Sequence, residues 1–467
     1  MAARDVTVRL STKVHKMDLE EYVAAALAGE SAAFRSEQAL SAMAVAARTY
    51  AVRFAGRHRS EGYDFCETTH CQDIRAGAIA ERLRRAAEST EGELLWFLGA
   101  PAATFYSKDC GGVRESVSVV WPDVKASYLG RRDDPYCGRD TWSATIRKAE
   151  LAGAIHLTSR LDRLRIVERS LSGRAVRLQA DGRTLSASSL RFAVGRTLGW
   201  NQIRSDLYEL TDSGDRLVFE GRGFGHGVGL CQAGADRMGV DGRSYREILA
   251  FYYPGTTLGV TAQGFSWRSL GGERVEVITT RPQEDQFLVA LADRLAATAE
   301  QRSGLRWQAG ARLKVFPTVA AFRDSTGEPG WVAASARGRV IRFQPVAVLR
   351  ARGVLESTLQ HELMHVLVES RASSGLPVWF REGVVGLLTA SQKSKVKSQK
   401  SKVLPPGDSG FLRGREEARL AHAAALECVT DLVARFGEPA VLGWLERGLP
   451  ADLFPGVPST TPGSTRR

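Results

Sequence analysis

At 467 residues the chain is longer than one typical core supports, so two domains are expected. A hydrophobic share of 43% with 25% charged residues is that of a globular protein, and no run reaches the roughly 18 apolar residues that a membrane-spanning helix needs. The net charge of +12 favours anionic partners such as nucleic acid, anionic lipid or acidic wall polymer.

Part of that charge sits in SQKSKVKSQKSKV at 391–403, a tandem seven-residue repeat that reads as a solvated basic loop. No folded face interleaves basic and aromatic residues, so no nucleic acid is expected as ligand. The opening MAARDVTVRL alternates like a strand and lacks the regions of a secretory signal. Either the protein is cytoplasmic or an export signal lies outside this chain.

In chain order, the pattern predicts a strand at 5–11, helices near 18–30 and 36–54, then strands and loops to about 230. The second helix is Ala-rich and apolar on more than one side, which predicts burial. Between 160 and 225, LRIVERS, AVRLQA and DRLVFEGRG read as antiparallel strands. A helix at 243–252 stops at YYPGT, and AQGFSWRSLGGER near 262–275 looks like a linker. The pattern then restarts with a strand VEVITT, a helix at about 284–302, strands RLKVFPT and VIRFQP, and helices at about 354–370 and 378–390. A last helix pair covers EEARLAHAAALECVTDLVARF and EPAVLGWLERG, and the tail at 451–467 is expected to be disordered. The fold class expected is α+β: an N-terminal domain of helices and antiparallel strands at 1–262, a linker at 263–275, and a mainly helical C-terminal domain with a small sheet at 276–450.

LQHELMHVLVE carries two histidines four apart, which share one helix face and can meet a single ion. Glu362, beside His361, is then placed as general base. A third ligand is required, and LPVWFREGVVGLL offers Glu382, seventeen residues beyond His365 and after a loop with Gly375 and Pro377. These stretches resemble the peptidase MA-like (gluzincin) metallohydrolases over about 275–450. The resemblance implies a zincin-like domain with catalytic zinc on His361, His365 and Glu382, and Glu362 as base. The His or Tyr that usually steadies the oxyanion in such enzymes has no assignment from the sequence.

In the first half, LEEYVAAALAGES, ALSAMAVAARTYAVR, YDFCETTHCQ, TFYSKDCGGVRES, DDPYC and GRGFGHGVGLCQAGADRMGVDGRSYREILAFYYPGT occur in order. They resemble the SpoIID/LytB family of cell-wall proteins over about 5–260. The resemblance implies lytic transglycosylase cleavage of peptidoglycan glycan strands, with Glu30 as catalytic acid. One carboxylate suffices for that chemistry, because the sugar's own C6 hydroxyl replaces water as nucleophile, unlike in ordinary glycosidases. Such a Glu must hold its proton near neutrality, so its pKa should be raised in a partly apolar setting. Alone, Glu30 would read as a surface carboxylate near a helix end; the motifs reverse that. The family often has Met and Pro after this Glu and Ser and Trp around the glutamine, where this chain has Ser31, Ala32, Cys231 and Ala233.

By the same resemblance His226 and Gln232 lie near the sugar, with Arg48, Ser107, Lys108 and Tyr253 as weaker candidates for binding it. Arg48, on a buried helix, needs a carboxylate partner or a functional reason, and a motif glutamate can serve as that partner. GRGFGHGVG, drawn as an extended strand, leaves one face bare and puts Arg222, Phe224, His226 and Val228 on the other. Its Gly spacing formally fits a dinucleotide loop, but the strand and hairpin context argues against that.

Cys231 and Cys428 read as buried apolar residues. Cys66, His70 and Cys71 in CETTHC offer soft ligands for a structural zinc, whereas disulfides, Cys110 with Cys137 among them, are the rival in an oxidising space. The combined expectation is an exported cell-envelope enzyme, periplasmic or extracellular, that remodels peptidoglycan. In the rival expectation the first domain only binds glycan and activates a partner amidase, and the zinc domain is the sole catalyst.

Overall fold

The computed structural model describes residues 5–138, 140–158, 160–390, 414–450 and 453. The basic repeat at 391–403 lies outside these residues, as does the tail at 451–467 apart from Leu453. The chain divides into two compact units, Met1–Phe265 and Ser266–Arg467, of mixed helix and strand with several small sheets. No helix among the described residues is long and apolar enough to cross a membrane.

The first unit opens with the hairpin Asp5–Leu10 and Lys13–Asp18, and Phe65–Cys66 pairs parallel to its first strand. Asp18 ends the hairpin and caps the helix Leu19–Glu30 by accepting the Glu20 N–H, and Glu20 and Glu21 occupy its first turn. Ser36 caps the helix Glu37–Phe54, whose residues Ala39 to Ala51 are buried save Ser41. Its alanines make it slim enough for four other helices to pack on it, Leu19–Glu30, Glu81–Ser89, Gln232–Val240 and Tyr245–Tyr252. The Ala-rich helix is therefore the axis of this half, as its all-round apolar character predicts.

A second core forms between Trp142 and Phe219, around Leu178, Leu190 and Leu217. Leu164–Arg169, Ala175–Ala180 and Arg183–Ser186 make one antiparallel sheet. Tyr208–Ser213, Arg216–Arg222 and Thr141–Arg147 make another.

The glycine-rich stretch does not continue the last of these as an extended strand. Gly223, Gly225, Gly227 and Gly229 all have positive φ, between 76° and 102°, which L side chains rarely adopt. The glycines also admit close neighbours: a Cβ on Gly229 would lie 1.9 Å from the Phe105 carbonyl oxygen, and one on Gly227 2.2 Å from Arg174 Nη2. Alternation in the sequence was thus misleading, because the glycines mark turns rather than one bare face.

The second unit is built on a five-stranded mixed sheet in the order Arg268–Leu270, Val275–Thr279, Ala311–Val315, Val340–Phe343, Ala334–Arg337. Its edge strand Arg268–Leu270 comes from the segment expected to be a linker, because it pairs antiparallel with Val275–Thr279. The helix Leu355–Glu369 buries Leu359, Leu363 and Val366 toward the sheet's core. Met364, Leu367 and Val368 join a second core with Phe380, Val384, Val429 and Trp444 from the last three helices. Gly383 lets the helices Val378–Thr389 and Arg415–Phe436 meet, since a Cβ there would lie 2.4 Å from the Ala425 carbonyl oxygen.

Candidate active sites

Glu30 is the last residue of its helix and is half-buried. Its Oε1 accepts the Asp73 backbone N–H at 2.9 Å and its Oε2 accepts Gln232 Nε2 at 3.2 Å. Gly29 makes this approach feasible, because a Cβ there would lie 2.1 Å from the Asp73 carbonyl oxygen. Burial raises the Glu30 carboxyl above the ordinary glutamate range, against the two hydrogen bonds that favour its anion. Beside it, Gln72 accepts the Tyr22 hydroxyl at 2.7 Å and donates to the Tyr106 hydroxyl at 2.8 Å. The site is a carboxyl held by two donors next to a buried, phenol-lined network.

Of the residues expected to meet a sugar, Gln232 reaches Glu30 and three others serve the interior. Arg48 is fully buried and grips both oxygens of Glu20, at 2.8 and 2.6 Å, while donating to the carbonyls of Ala87 and Glu93. Its partner is thus a motif glutamate, and no face of it is left for substrate. Tyr253 is also fully buried and donates to the Phe105 carbonyl at 2.8 Å. Ser107 is buried in a short strand, Tyr106–Ser107, that pairs with Leu230–Cys231. Lys108 is exposed, its ammonium 4.9 Å from the Phe224 ring centre.

His226 accepts the Val228 N–H on Nδ1 at 3.0 Å and sets its ring edge-on to Trp121. Burial, helped by Arg191 and Arg174, holds its pKa down to about 3. The ring is therefore held neutral, with Nδ1 occupied as an acceptor and its proton on Nε2, next to Trp121.

Two residues before Asp73, Cys71 belongs to a cluster with His58, Cys66 and His70 whose ligand atoms lie within 4.8 Å of one another. His58 Nε2 stands 3.4 Å from Cys71 Sγ, and His70 Nδ1 stands 3.7 Å from both sulfurs. Glu61 accepts a hydrogen bond from His58 Nδ1 at 2.6 Å, which leaves the lone pair of a neutral ring on Nε2, toward Cys71. The set has the Cys₂His₂ chemistry of a structural zinc site. His58 was missed in the sequence because it precedes Cys66 by eight residues, outside the usual short spacings. All six cysteines are free thiols.

In the second unit, His361 and His365 lie on one helix face with their Nε2 atoms 3.1 Å apart. Glu382 brings Oε2 to 3.2 Å from His365 Nε2, and also to 3.2 Å from His422 Nε2 on the helix Arg415–Phe436. His361, Glu382 and His422 bring one ligand atom each within 4.8 Å of one another, and His365 touches that group through His361 and Glu382. The first three are of residue types that could hold a metal ion. His422 Nδ1 donates to the Ala418 carbonyl at 2.7 Å, which again aims Nε2 at the cluster. Against the cost of burial, His365 and His422 hold the Glu382 carboxyl well below the usual carboxylate range. Burial pushes Glu362 up to about 7 and His361 down to about 3. His422 stands forty residues beyond Glu382 on an Ala-rich helix, where only the fold reveals it.

Comparison with known proteins bears on the first unit. Residues 9–97 match the family model for SpoIID, the stage II sporulation protein. The first unit carries a SpoIID domain. Residues 139–229 match a domain of unknown function, DUF8618, so the SpoIID domain is followed by a second recognised module around the core of Trp142 and Phe219. An uncharacterized protein of Brachyspira hyodysenteriae is 29% identical over 254 residues, covering 52% of this chain and 67% of that protein. Stage II sporulation protein D of Bacillus subtilis is 26% identical over 267 residues, 52% of this chain and 75% of that protein. The amidase enhancer of Bacillus subtilis is 26% identical over 281 residues, which span 48% of this chain but 38% of the enhancer.

Proposed function

We propose that the chain is a cell-envelope enzyme whose SpoIID unit cleaves peptidoglycan glycan strands with Glu30 as acid and base. The observation that carries this is the Glu30 carboxyl, raised by burial and held by the Asp73 N–H and the Gln232 amide. As the protonated acid, Glu30 gives its proton to the departing glycosidic oxygen. As the carboxylate, it then takes the proton of the C6 hydroxyl while that oxygen closes onto C1, giving a 1,6-anhydro sugar. Gln232 and Asp73 steady the anion between the two transfers. The His58, Cys66, His70 and Cys71 cluster is proposed to hold a structural zinc that fixes the loop bearing Asp73.

For the second unit the proposal is a hydrolase of the gluzincin type, with His361, His365 and Glu382 as zinc ligands and His422 at the same centre. Zinc bound there supplies a Lewis acid for a carbonyl under attack. Glu362, with its carboxyl near 7, takes the proton of the attacking water and passes it to the leaving group.

The similarity to an amidase enhancer favours a second reading, in which the SpoIID unit binds glycan and stimulates a partner amidase. Purified protein incubated with glycan strands stripped of peptides separates the two readings: 1,6-anhydro ends form in the first and not in the second.

A further inference from the structure

Cys110, Cys137 and Cys231 come from three segments distant in sequence and meet with their sulfurs within 4.8 Å of one another. Their exposures are 0%, 6% and 1%. A disulfide would use two of these thiols and leave the third against it.

Cys231 is set to accept, while Cys110 and Cys137 donate their thiol protons to the Asp134 and Asp109 carboxylates, protons that a metal ion would displace. Cys231 Sγ accepts the backbone N–H groups of Cys110 at 3.3 Å and Gly234 at 3.4 Å. Asp134, 2% exposed, brings Oδ2 to 3.4 Å from Cys110 Sγ. Its orientation is fixed: Oδ1 accepts the N–H groups of Tyr136 and Cys137, and Oδ2 accepts the Tyr252 hydroxyl at 2.9 Å. Asp109 Oδ1 lies 3.1 Å from Cys137 Sγ and accepts the Gly111 N–H. A tetrahedral zinc with about 2.3 Å bonds to sulfur and about 2.0 Å to oxygen keeps its ligand atoms roughly 3.5 to 3.8 Å apart. The Cys110 to Asp134 spacing is close to that range, while Asp134 stands outside the group formed by the three sulfurs.

Charge points the same way. Two buried guanidiniums flank the cluster, Arg174 donating to the Cys110 carbonyl at 2.7 Å and Arg114 to the Tyr252 carbonyl at 2.8 Å. Three thiolates and a carboxylate would be prohibitive to bury unaided, and a divalent ion with two guanidiniums neutralises them.

We propose that Cys110, Cys137 and Cys231 form a second structural zinc site in the first unit, made of residues other than the His58 cluster, and that the Asp134 carboxylate beside Cys110 closes in as the fourth ligand. The ion ties the segments of Cys110 and Cys137 to Cys231, the cap of the helix Gln232–Val240. The next residue is the Gln232 that holds Glu30, so the site is a clamp on the catalytic acid's second donor.

The test uses the full chain carrying Cys66→Ser and Cys71→Ser, loaded with cobalt(II) as a spectroscopic stand-in for zinc. Thiolate-to-cobalt charge-transfer bands that disappear on adding Cys137→Ser, with the far-UV circular dichroism unchanged, are the expected result. Absence of those bands from a folded Cys66→Ser/Cys71→Ser protein overturns the proposal. If that protein does not fold, zinc per chain is compared in the unmodified protein and the single variant Cys137→Ser. A loss of one ion supports the site, and equal content overturns it. An intact mass of the freshly purified protein showing a disulfide among the three cysteines also overturns it.

Discussion

Gln232 Nε2 donates to Glu30 Oε2 at 3.2 Å across 202 residues of chain, while Asp73 donates to the other oxygen at 2.9 Å. Each donor is one or two residues from a cysteine of a separate cluster, Cys231 for Gln232 and Cys71 for Asp73. The Glu30 carboxyl is therefore held from two sides, and ions bound at the two clusters would make both sides rigid. The proposed proton shuttle would need this, because the protonated form must reach the glycosidic oxygen and the anionic form the C6 hydroxyl of the same sugar.

Glu30→Gln should remove the proposed glycan cleavage and leave the protein at least as stable as before. The raised carboxyl binds its proton more tightly in the folded chain than in the unfolded one, where glutamate titrates near about 4.3. The stability it contributes is complete below that value and is lost as pH rises through the folded pKa. The variant's advantage in thermal midpoint should therefore be nil near pH 4 and grow toward pH 8. A constant difference across that range would show that the group is not shifted as described.

Arg48→Ala should destabilise the first unit by about 3 to 5 kcal/mol, because Glu20 is left facing the interior without its guanidinium. Denaturant unfolding measures this. A loss of under about 1 kcal/mol would place Arg48 among surface ion pairs and reopen a role in sugar binding.

Gly229→Ala and Gly242→Ala form a matched pair. Both glycines have positive φ, 77° and 86°, but Gly242 has nothing within 4 Å of the added methyl, whereas Gly229 has the Phe105 carbonyl oxygen at 1.9 Å. Gly242→Ala should cost about 1 to 3 kcal/mol, the usual range for such backbone strain, and Gly229→Ala clearly more. Equal losses, read from melting curves, would mean that the close approach is not tight in solution.

Much of this arrangement was open to a reading of the sequence. The helices Leu19–Glu30, Glu37–Phe54, Leu355–Glu369 and Val378–Thr389 follow from apolar periodicity and from caps such as Asp18 and Ser36. His361 and His365 share a face because helical geometry alone decides it. His58 and His422 were not legible, since each reaches its cluster through tertiary packing and neither lies at a familiar spacing. Arg48 was legible only as a buried cation in need of a partner; that the partner is Glu20, and both oxygens of it, depends on how two helices pack. The glycine-rich stretch misled for a different reason: period-two alternation is shared by strands and by successive turns, and positive φ leaves no trace in composition.

His422→Ala should lower zinc retention by the second unit, and His365→Ala should abolish it, both measured by elemental mass spectrometry after dialysis. His422 Nε2 meets the same Glu382 oxygen as His365 Nε2, each at 3.2 Å. Full retention in His422→Ala would assign that imidazole to hydrogen bonding with Glu382 alone.

The most direct measurement is mass spectrometry of the sugars released from peptide-free glycan strands by the purified full chain and by Glu30→Gln. The account predicts 1,6-anhydro ends from the unmodified protein and none from the variant. Anhydro ends from both would remove Glu30 from the chemistry, and none from either, with stimulation of an added amidase intact in both, would make the SpoIID unit a binding module.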